Sequence, residues 1–187
     1  MATRQQKREL FQGSGRLDLT LHRLLLEVVE VHPGLQDTCL VGIQPRGVFL
    51  SRRLVAYAQK EFPELDINYG ELDVTFHRDD FRRKGSPLVP NTTKIDFLIE
   101  EKDVILIDDV LFSGRTVRAA LSALLAFGRP RSVELLVLVN RKRSRHYPIE
   151  PAYTGIAVDT LVSENVVVEL TETHQRDSIR IESNLPN

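Results

Sequence analysis

The sequence predicts an α/β fold in which a parallel sheet is flanked by helices. Residues 104–107 and 132–139 are short, nearly continuous apolar runs rich in β-branched side chains, which is typical of strands covered on both faces. Between them, residues 117–125 carry apolar side chains at helical spacing. Because strands that alternate with helices pair in parallel, we expect ligands to bind at the carboxyl ends of these strands.

The size and composition of the chain fit a globular protein with one substantial core. It has 187 residues, of which 42% are hydrophobic, and we expect a single domain over residues 1–187. The formal net charge of −1 gives no global electrostatic case for binding nucleic acid. The lone cysteine, Cys39, argues against a disulfide framework. Residues 1–10 lack the apolar core of a secretory signal, so we expect a cytoplasmic protein without membrane association.

The elements before the central strand follow from their apolar patterns. Residues 1–16, which include the segment FQGSGR, are predicted to form a flexible lead-in. The predicted elements that follow are a helix over 17–31, a strand over 38–43, a helix over 48–60 and a strand over 67–76. The polar stretch 77–93 comes next. A loop of this length in a compact domain is usually functional, and a lid is one common function.

The stretch after residues 104–107 carries the clearest chemical signal. Asp108 and Asp109 end the apolar run, and Ser113-Gly114-Arg115-Thr116 forms a small, positively charged turn before the next helix. Unpaired amides and the dipole at a helix amino terminus favour a dianionic phosphate, and Gly114 is free to adopt positive φ. The two acids would repel phosphate, so we expect them to accept hydrogen bonds from sugar hydroxyls. This arrangement describes a site for ribose 5-phosphate.

A second loop follows the strand at 38–43 and offers a further anion site. It reads Gln44-Pro45-Arg46-Gly47, which places a cation beside exposed backbone amides. Such a turn alone would more often be structural. Together with the acid pair and the phosphate turn, it favours a second phosphate group.

These motifs resemble the PRPP-binding motif and the pyrophosphate loop of the type I phosphoribosyltransferases, where PRPP is phosphoribosyl pyrophosphate. Further stretches narrow the resemblance to the PyrR group, the pyrimidine operon attenuators that are also uracil phosphoribosyltransferases. These stretches are residues 41–47, 70–80, 108–119 and 163–164. The likeness runs from about residue 19 to about residue 171.

The resemblance implies a fold, a reaction and a set of site residues. The implied fold is the type I phosphoribosyltransferase fold, a parallel sheet flanked by helices with a small hood. The acids Asp108 and Asp109 would hold the ribose hydroxyls, and the loop from Phe112 to Thr116 would hold the 5-phosphate. Gln44, Pro45, Arg46, Gly47 and Arg78 would bind the pyrophosphate, with Arg46 and Arg78 neutralising it as it departs. Mg²⁺ would be held mainly by PRPP, without a dedicated protein ligand. The resemblance also implies a homodimer or a higher homo-oligomer.

The base is expected to bind in the hood, over about residues 140–164, where the family recognises it largely through backbone groups. The candidates are Asn140, Arg141, Leu161 and Val162. Here the sequence departs from the PyrR pattern. It reads NRKRSRHYPI where PyrR proteins read Asp-Arg-Gly-His-Arg-Glu-Leu-Pro-Ile, and Val162 replaces a lysine of the hood. Both departures argue against RNA attenuation.

Three alternatives follow for the function of the chain. The first is a uracil phosphoribosyltransferase that makes UMP, the second is a phosphoribosyltransferase for another base, and the third is a non-catalytic RNA-binding attenuator or nucleotide sensor. Phe112 stands where the hypoxanthine-guanine enzymes carry an acid that handles a purine proton, which favours a pyrimidine. An acid pair, a pyrophosphate loop and a lid would be needless in a pure RNA binder. The sequence therefore favours an enzyme, a pentosyltransferase acting on uracil.

Overall fold

Two sheets organise the molecule, of which the computed structural model describes residues 4–77, 91–143 and 145–185. The main sheet has five parallel strands in the order β3-β2-β4-β5-β6, and the small sheet has three antiparallel strands in the order β1-β8-β7. The strands are β1 (Arg4–Gln12), β2 (Thr38–Ile43), β3 (Asn68–Leu72), β4 (Asp103–Leu111), β5 (Ser132–Arg141), β6 (Tyr153–Val158), β7 (Glu164–Glu169) and β8 (Ser178–Leu185). The helices are α1 (Ser14–Val31), α2 (Arg46–Glu61) and α3 (Arg115–Leu124), with a short 3-10 helix at Thr75–His77.

The central strand β4 is covered on both faces, as its apolar run predicts. Ile105 and Ile107 belong to a core that includes the buried faces of α1 and α2. Val104 and Leu106 point the other way, into a core shared with α3. Because successive side chains of a strand alternate, an unbroken apolar run is what a strand between two helical layers requires. The predicted fold class is confirmed.

Several boundaries differ from the sequence prediction. The strand β4 continues through Asp108 and Asp109 to Leu111, because its ladder with β5 extends as far as the pair Leu111 and Asn140. Both helices that were predicted before β4 begin earlier, at Ser14 and at Arg46. Arg46 is therefore the first residue of α2 and lies beyond the loop to which the sequence assigned it.

The prediction of a flexible lead-in over residues 1–16 is wrong for the described residues. Arg4–Gln12 forms β1, which pairs with β8 near the other end of the chain.

Residues 140–164 do not form one separate hood, which corrects the sequence prediction. Within this range, Tyr153–Val158 is the edge strand of the main sheet. The small sheet is built from β1, β7 and β8 instead. The single domain over 1–187 stays a prediction.

Among the described residues, no helix combines the length and the apolar character needed to cross a membrane.

Candidate active site

The carboxyl end of β4 presents two buried acids. Asp108 and Asp109 are each 7% exposed. The amide of Asp109 donates to Oδ1 of Asp108 at 2.9 Å, and the amide of Val110 donates to Oδ1 of Asp109 at 2.8 Å. These bonds fix both carboxyl groups against the backbone that follows them. The acids are thus held in place before any ligand arrives.

The environment of Asp108 disfavours its charge. Burial, and secondly the negative charge of Asp109, raise the pKa of the Asp108 carboxyl well above its usual range. A carboxyl group that lies beside a pocket and whose charged form is disfavoured by its surroundings is typical of functional sites.

We call residues 111–114, which run from the last residue of β4 to the residue before α3, the phosphate loop after the role predicted for them. Gly114 precedes the helix with a φ of +83°, a left-handed conformation that favours glycine. A Cβ atom at this position would lie 3.2 Å from Cδ1 of Ile149, so space is also tight there. In front of the loop lies a pocket of about 220 Å³, lined by Asp108 and residues 110–117. The residues predicted to bind ribose 5-phosphate therefore share one pocket, apart from Asp109.

The second predicted loop reaches the same acids from α2. Nη1 of Arg46 lies 3.4 Å from Oδ2 of Asp109. The approach depends on Gly47, because a Cβ atom there would lie only 2.1 Å from the carbonyl oxygen of Ile107. The Gln44–Pro45 peptide bond is cis, and the Gln44 side chain donates to the carbonyl of Thr92 at 2.8 Å. The fold thus brings the pyrophosphate-loop candidates to the edge that carries the acids.

The predicted lid lies mostly outside the described residues, and so does Arg78. Asp73 binds the backbone at two points, at Thr75 before the 77–93 stretch and at Asn91 within it. Its Oδ1 accepts the amide of Thr75 at 3.1 Å, and its Oδ2 accepts the amide of Asn91 at 3.2 Å. The role predicted for Arg78 stays a prediction.

The base-site candidates lie at the carboxyl end of β5 and in the turn before β7. Asn140 and Arg141 are buried, whereas Leu161 and Val162 are exposed. The Arg141 guanidinium donates to Oγ1 of Thr160 and to the carbonyl of Leu161, at 2.9 and 3.2 Å. It also lies over the Phe112 ring, 3.8 Å from the ring centre. Arg141 therefore joins the phosphate loop to the turn at 160–164.

Sequence reasoning missed Arg145. Its guanidinium binds the backbone of the phosphate loop, including the carbonyls of Leu111 and Phe112. In the sequence it stands in a basic run beside Arg143, and nothing in that pattern separates the two arginines. In the structure Arg143 is exposed and pairs with Asp159 at 2.8 Å.

No group of three or more His, Cys, Asp or Glu side chains in the described part of the chain could hold a metal ion. Of the two acids at the end of β4, Asp108 lines the pocket, together with the hydroxyl-bearing residues Ser113 and Thr116. A carboxylate pair suits Mg²⁺ or sugar hydroxyls in its chemistry, since both take oxygen ligands.

Comparison with known proteins assigns this fold and site to a class. Residues 20–173 match the family model described as "Phosphoribosyl transferase domain". Two solved structures share the fold over most of the chain. The hypoxanthine phosphoribosyltransferase of Staphylococcus aureus has a TM-score of 0.67 and 17% identity, covering 96% of this chain and 92% of that one. The hypoxanthine-guanine enzyme of Bacillus anthracis has a TM-score of 0.66 and 14% identity, covering 96% and 99%. The chain belongs to the phosphoribosyltransferase family.

Similar sequences give a finer placement. The bifunctional protein PyrR of Desulfosudis oleivorans is 42% identical over 175 residues, which cover 94% of this chain and 96% of that protein. The PyrR of Enterococcus faecalis is 41% identical over 161 residues, covering 86% and 89%. Within its family, the chain falls in the PyrR group. The predicted family and the predicted enzyme class, a pentosyltransferase, are confirmed.

Proposed function

We propose that this protein transfers ribose 5-phosphate from Mg-PRPP to uracil, giving UMP and pyrophosphate. The observation that carries the proposal is the position of the acids Asp108 and Asp109. Asp108 lines the pocket of about 220 Å³ at the start of α3, and Asp109 faces the cation Arg46 at the start of α2. A ribose held by the acids would have its 5-phosphate on one side and its pyrophosphate on the other.

In the proposed reaction, a ring nitrogen of the base bonds to the anomeric carbon as the bond from that carbon to pyrophosphate breaks, and the proton of that nitrogen passes to water. Asp108 and Asp109 orient the ribose through its hydroxyls and stabilise positive charge that develops on the ring. Arg46 and Arg78 bind the departing pyrophosphate. The protein's contribution is positioning and charge stabilisation, for which one lost transition-state contact costs about 2–4 kcal/mol.

Magnesium fits this proposal as part of the substrate. When bound, Mg²⁺ would neutralise the pyrophosphate oxygens and make them a better leaving group. The described residues contain no group of three or more His, Cys, Asp or Glu side chains that could hold a metal ion, so the ligands would come chiefly from PRPP and water.

The choice of a pyrimidine base rests on Phe112. Its ring packs under the Arg141 guanidinium and supplies no proton-transfer group. A purine base of the 6-oxo kind would lack the acid that handles its ring proton.

The competing proposal, an RNA-binding attenuator without catalysis, would need an outward basic face from residues 141–145. Arg141 and Arg145 instead point inward and bind protein oxygens, and Arg143 pairs with Asp159. The exposed face of α1 carries the apolar Leu19 and Leu26, and its Arg23 pairs with Glu27 at 2.5 Å. These contacts favour the enzyme. We further propose a cytoplasmic homo-oligomer, as the resemblance to the PyrR group implies.

The test is an assay of PRPP-dependent pyrophosphate release with uracil, orotate, hypoxanthine and guanine. The proposal predicts turnover with uracil well above the other three bases. Turnover with a different base would replace uracil and keep the enzyme class. Absence of turnover with all bases, together with tight, salt-dependent binding to pyrimidine-leader RNA, would support the attenuator instead.

A further inference from the structure

Arg145 lies behind the phosphate loop, and five acceptor atoms lie within hydrogen-bond distance of its guanidinium group, three of them sharing the two hydrogens of Nη1. Two acceptors are loop carbonyls, those of Leu111 at 3.3 Å and of Phe112. The others are the carbonyl of Arg141 at 2.7 Å, the carbonyl of Ile149 at 3.1 Å and Oδ1 of Asn140. The guanidinium therefore ties the loop to the end of β5 and to the segment before β6.

The third loop carbonyl is held from the same side. The oxygen of Ser113 accepts the amide of His146 at 2.9 Å and the amide of Tyr147 at 3.3 Å. Three successive carbonyls, from Leu111 to Ser113, thus turn toward residues 145–149.

This orientation of the carbonyls fixes the orientation of the amides. The peptide bonds of the described loop are trans, so each N–H points away from the carbonyl of its own plane. The amides of Phe112, Ser113 and Gly114 belong to the planes of these three carbonyls, so they turn away from Arg145. The pocket of about 220 Å³ lies in front of the loop, and no described residue of 140–150 lines it.

We infer that Arg145 is a positioning residue for the 5-phosphate: by holding the loop carbonyls from behind, it keeps the amides in front aimed at the phosphate. This inference deepens the proposed function and rests on it. It concerns a side chain that contacts no substrate and acts through the backbone of the loop.

Arg145 is suited to this task by its geometry and its charge. A planar guanidinium with five donor hydrogens can bind several carbonyls at once, whereas the single nitrogen of lysine cannot span them. Amides that converge on one point repel each other, so a loop prearranged for an anion needs an anchor elsewhere. All five acceptors of Arg145 are neutral oxygens, so none of these bonds cancels its positive charge.

The test compares Arg145→Gln with Arg143→Gln, a matched control on the same segment whose side chain is exposed and pairs with Asp159. The measurements are kcat, the KM for PRPP and the inhibition constants of ribose 5-phosphate and of pyrophosphate. For Arg145→Gln we expect the KM and the ribose 5-phosphate constant to rise together by about tenfold or more. The pyrophosphate constant and kcat should change by less than about threefold, because the other loop is untouched. Arg143→Gln should match the wild type.

Chemical rescue separates positioning from folding. Millimolar guanidinium added to Arg145→Ala should recover part of the lost ribose 5-phosphate affinity, and Arg145→Lys should recover little of it. If Gln at this position prevents folding, Arg145→Lys serves for the same comparison.

Two results would overturn the inference. In the first, Arg145→Gln has the same KM for PRPP and the same inhibition constants as Arg143→Gln. In the second, the inhibition constants of ribose 5-phosphate and pyrophosphate rise by the same factor, as a general disruption of the site would cause. A wild type without turnover on any base would instead defeat the proposed function. Calorimetric binding of ribose 5-phosphate to wild type and Arg145→Gln would still decide the inference separately.

Discussion

Asp108 is a buried carboxylic acid that lies beside a second one, Asp109, at the end of the central strand. Its raised pKa means that the folded state binds a proton more readily at this position than the unfolded state does. Above the folded-state pKa the charged form destabilises the fold, and this penalty disappears as the pH falls below the unfolded pKa. In the proposed function, the charge of Asp108 would lower the stability of the fold and contribute to the reaction.

Replacing Asp108 with Asn should therefore stabilise the protein while it damages catalysis. The amide oxygen of Asn can still accept the amide of Asp109, and the buried charge is gone. We expect Tm at pH 7.5 to rise by about 2–4 °C, equivalent to about 1 kcal/mol in a chain of this size. The gain should shrink as the pH falls and vanish below about 4, where the wild-type carboxyl becomes protonated in both states. A variant less stable than wild type at every pH would contradict this account.

At the scale of elements, α2 contacts the site through its first residue and the small sheet through a residue near the middle of the helix. Its first residue, Arg46, faces Asp109. Further along, Arg53 forms a bidentate pair with Asp177, at 2.9 Å for both bonds, and also binds Glu172 at 2.6 Å. Both acids lie between β7 and β8, so Arg53 links the helix to the small sheet. Glu172 and Asp177 also line a cavity of about 450 Å³ beside this junction.

Replacing Arg53 with Met should weaken that link without harming the site. It leaves Asp177, whose side chain is 3% exposed, without its cation, and breaking a buried pair costs roughly 3 kcal/mol. Tm should fall by about 6–12 °C for a chain of this size. Turnover at 20 °C should stay near the wild-type value. Glu172→Gln is the matched control, because the Glu172 side chain is 30% exposed and its pair with Arg53 contributes little. A loss of Tm as large as that of Arg53→Met would refute the link through Asp177.

The start of β4 should make stability depend on pH. Hydrogen bonds from Arg131, and secondarily from Ser132, lower the pKa of Asp103 to about 2 even though partial burial opposes them. A folded pKa below the unfolded value of about 3.9 stabilises the fold above that value, and the stabilisation is lost as the pH falls from about 4 to about 2. In urea unfolding, the free energy of unfolding of Asp103→Asn should be lower than that of the wild type at pH 7. The gap between these two free energies should narrow by pH 3. A gap of constant size would show that the charge of Asp103 contributes nothing.

Elements that bury an apolar pattern could be predicted from the sequence, and elements that depend on distant backbone pairing could not. The run Val104–Ile107 predicted β4 because a strand between helical layers needs apolar side chains on both faces. By contrast, Arg4–Gln12 reads as polar, and it becomes a strand only because β8 pairs with it from the far end of the chain. Arg145 escaped prediction for a related reason, since its partners are mainly backbone carbonyls, which any sequence supplies.

At the scale of the whole molecule, the parallel order of the main sheet assembles the site. The strands β2, β4 and β5 are neighbours, so their carboxyl ends meet at one edge. They deliver, respectively, the loop at 44–47, the acids with the phosphate loop, and Asn140 with Arg141. Residues that lie far apart in the sequence thereby come together at one edge of the main sheet.

The most direct measurement of the central claim is the formation of UMP from uracil and Mg-PRPP by the wild type and by the double variant Asp108→Asn with Asp109→Asn. We expect UMP from the wild type, and a loss of about a thousandfold or more in kcat/KM for the folded double variant, since two ribose contacts are removed. A cooperative thermal transition of the variant would confirm that it folds. No UMP from the wild type, or wild-type turnover by the double variant, would contradict the assignment of the acids as the centre of a phosphoribosyl transfer site.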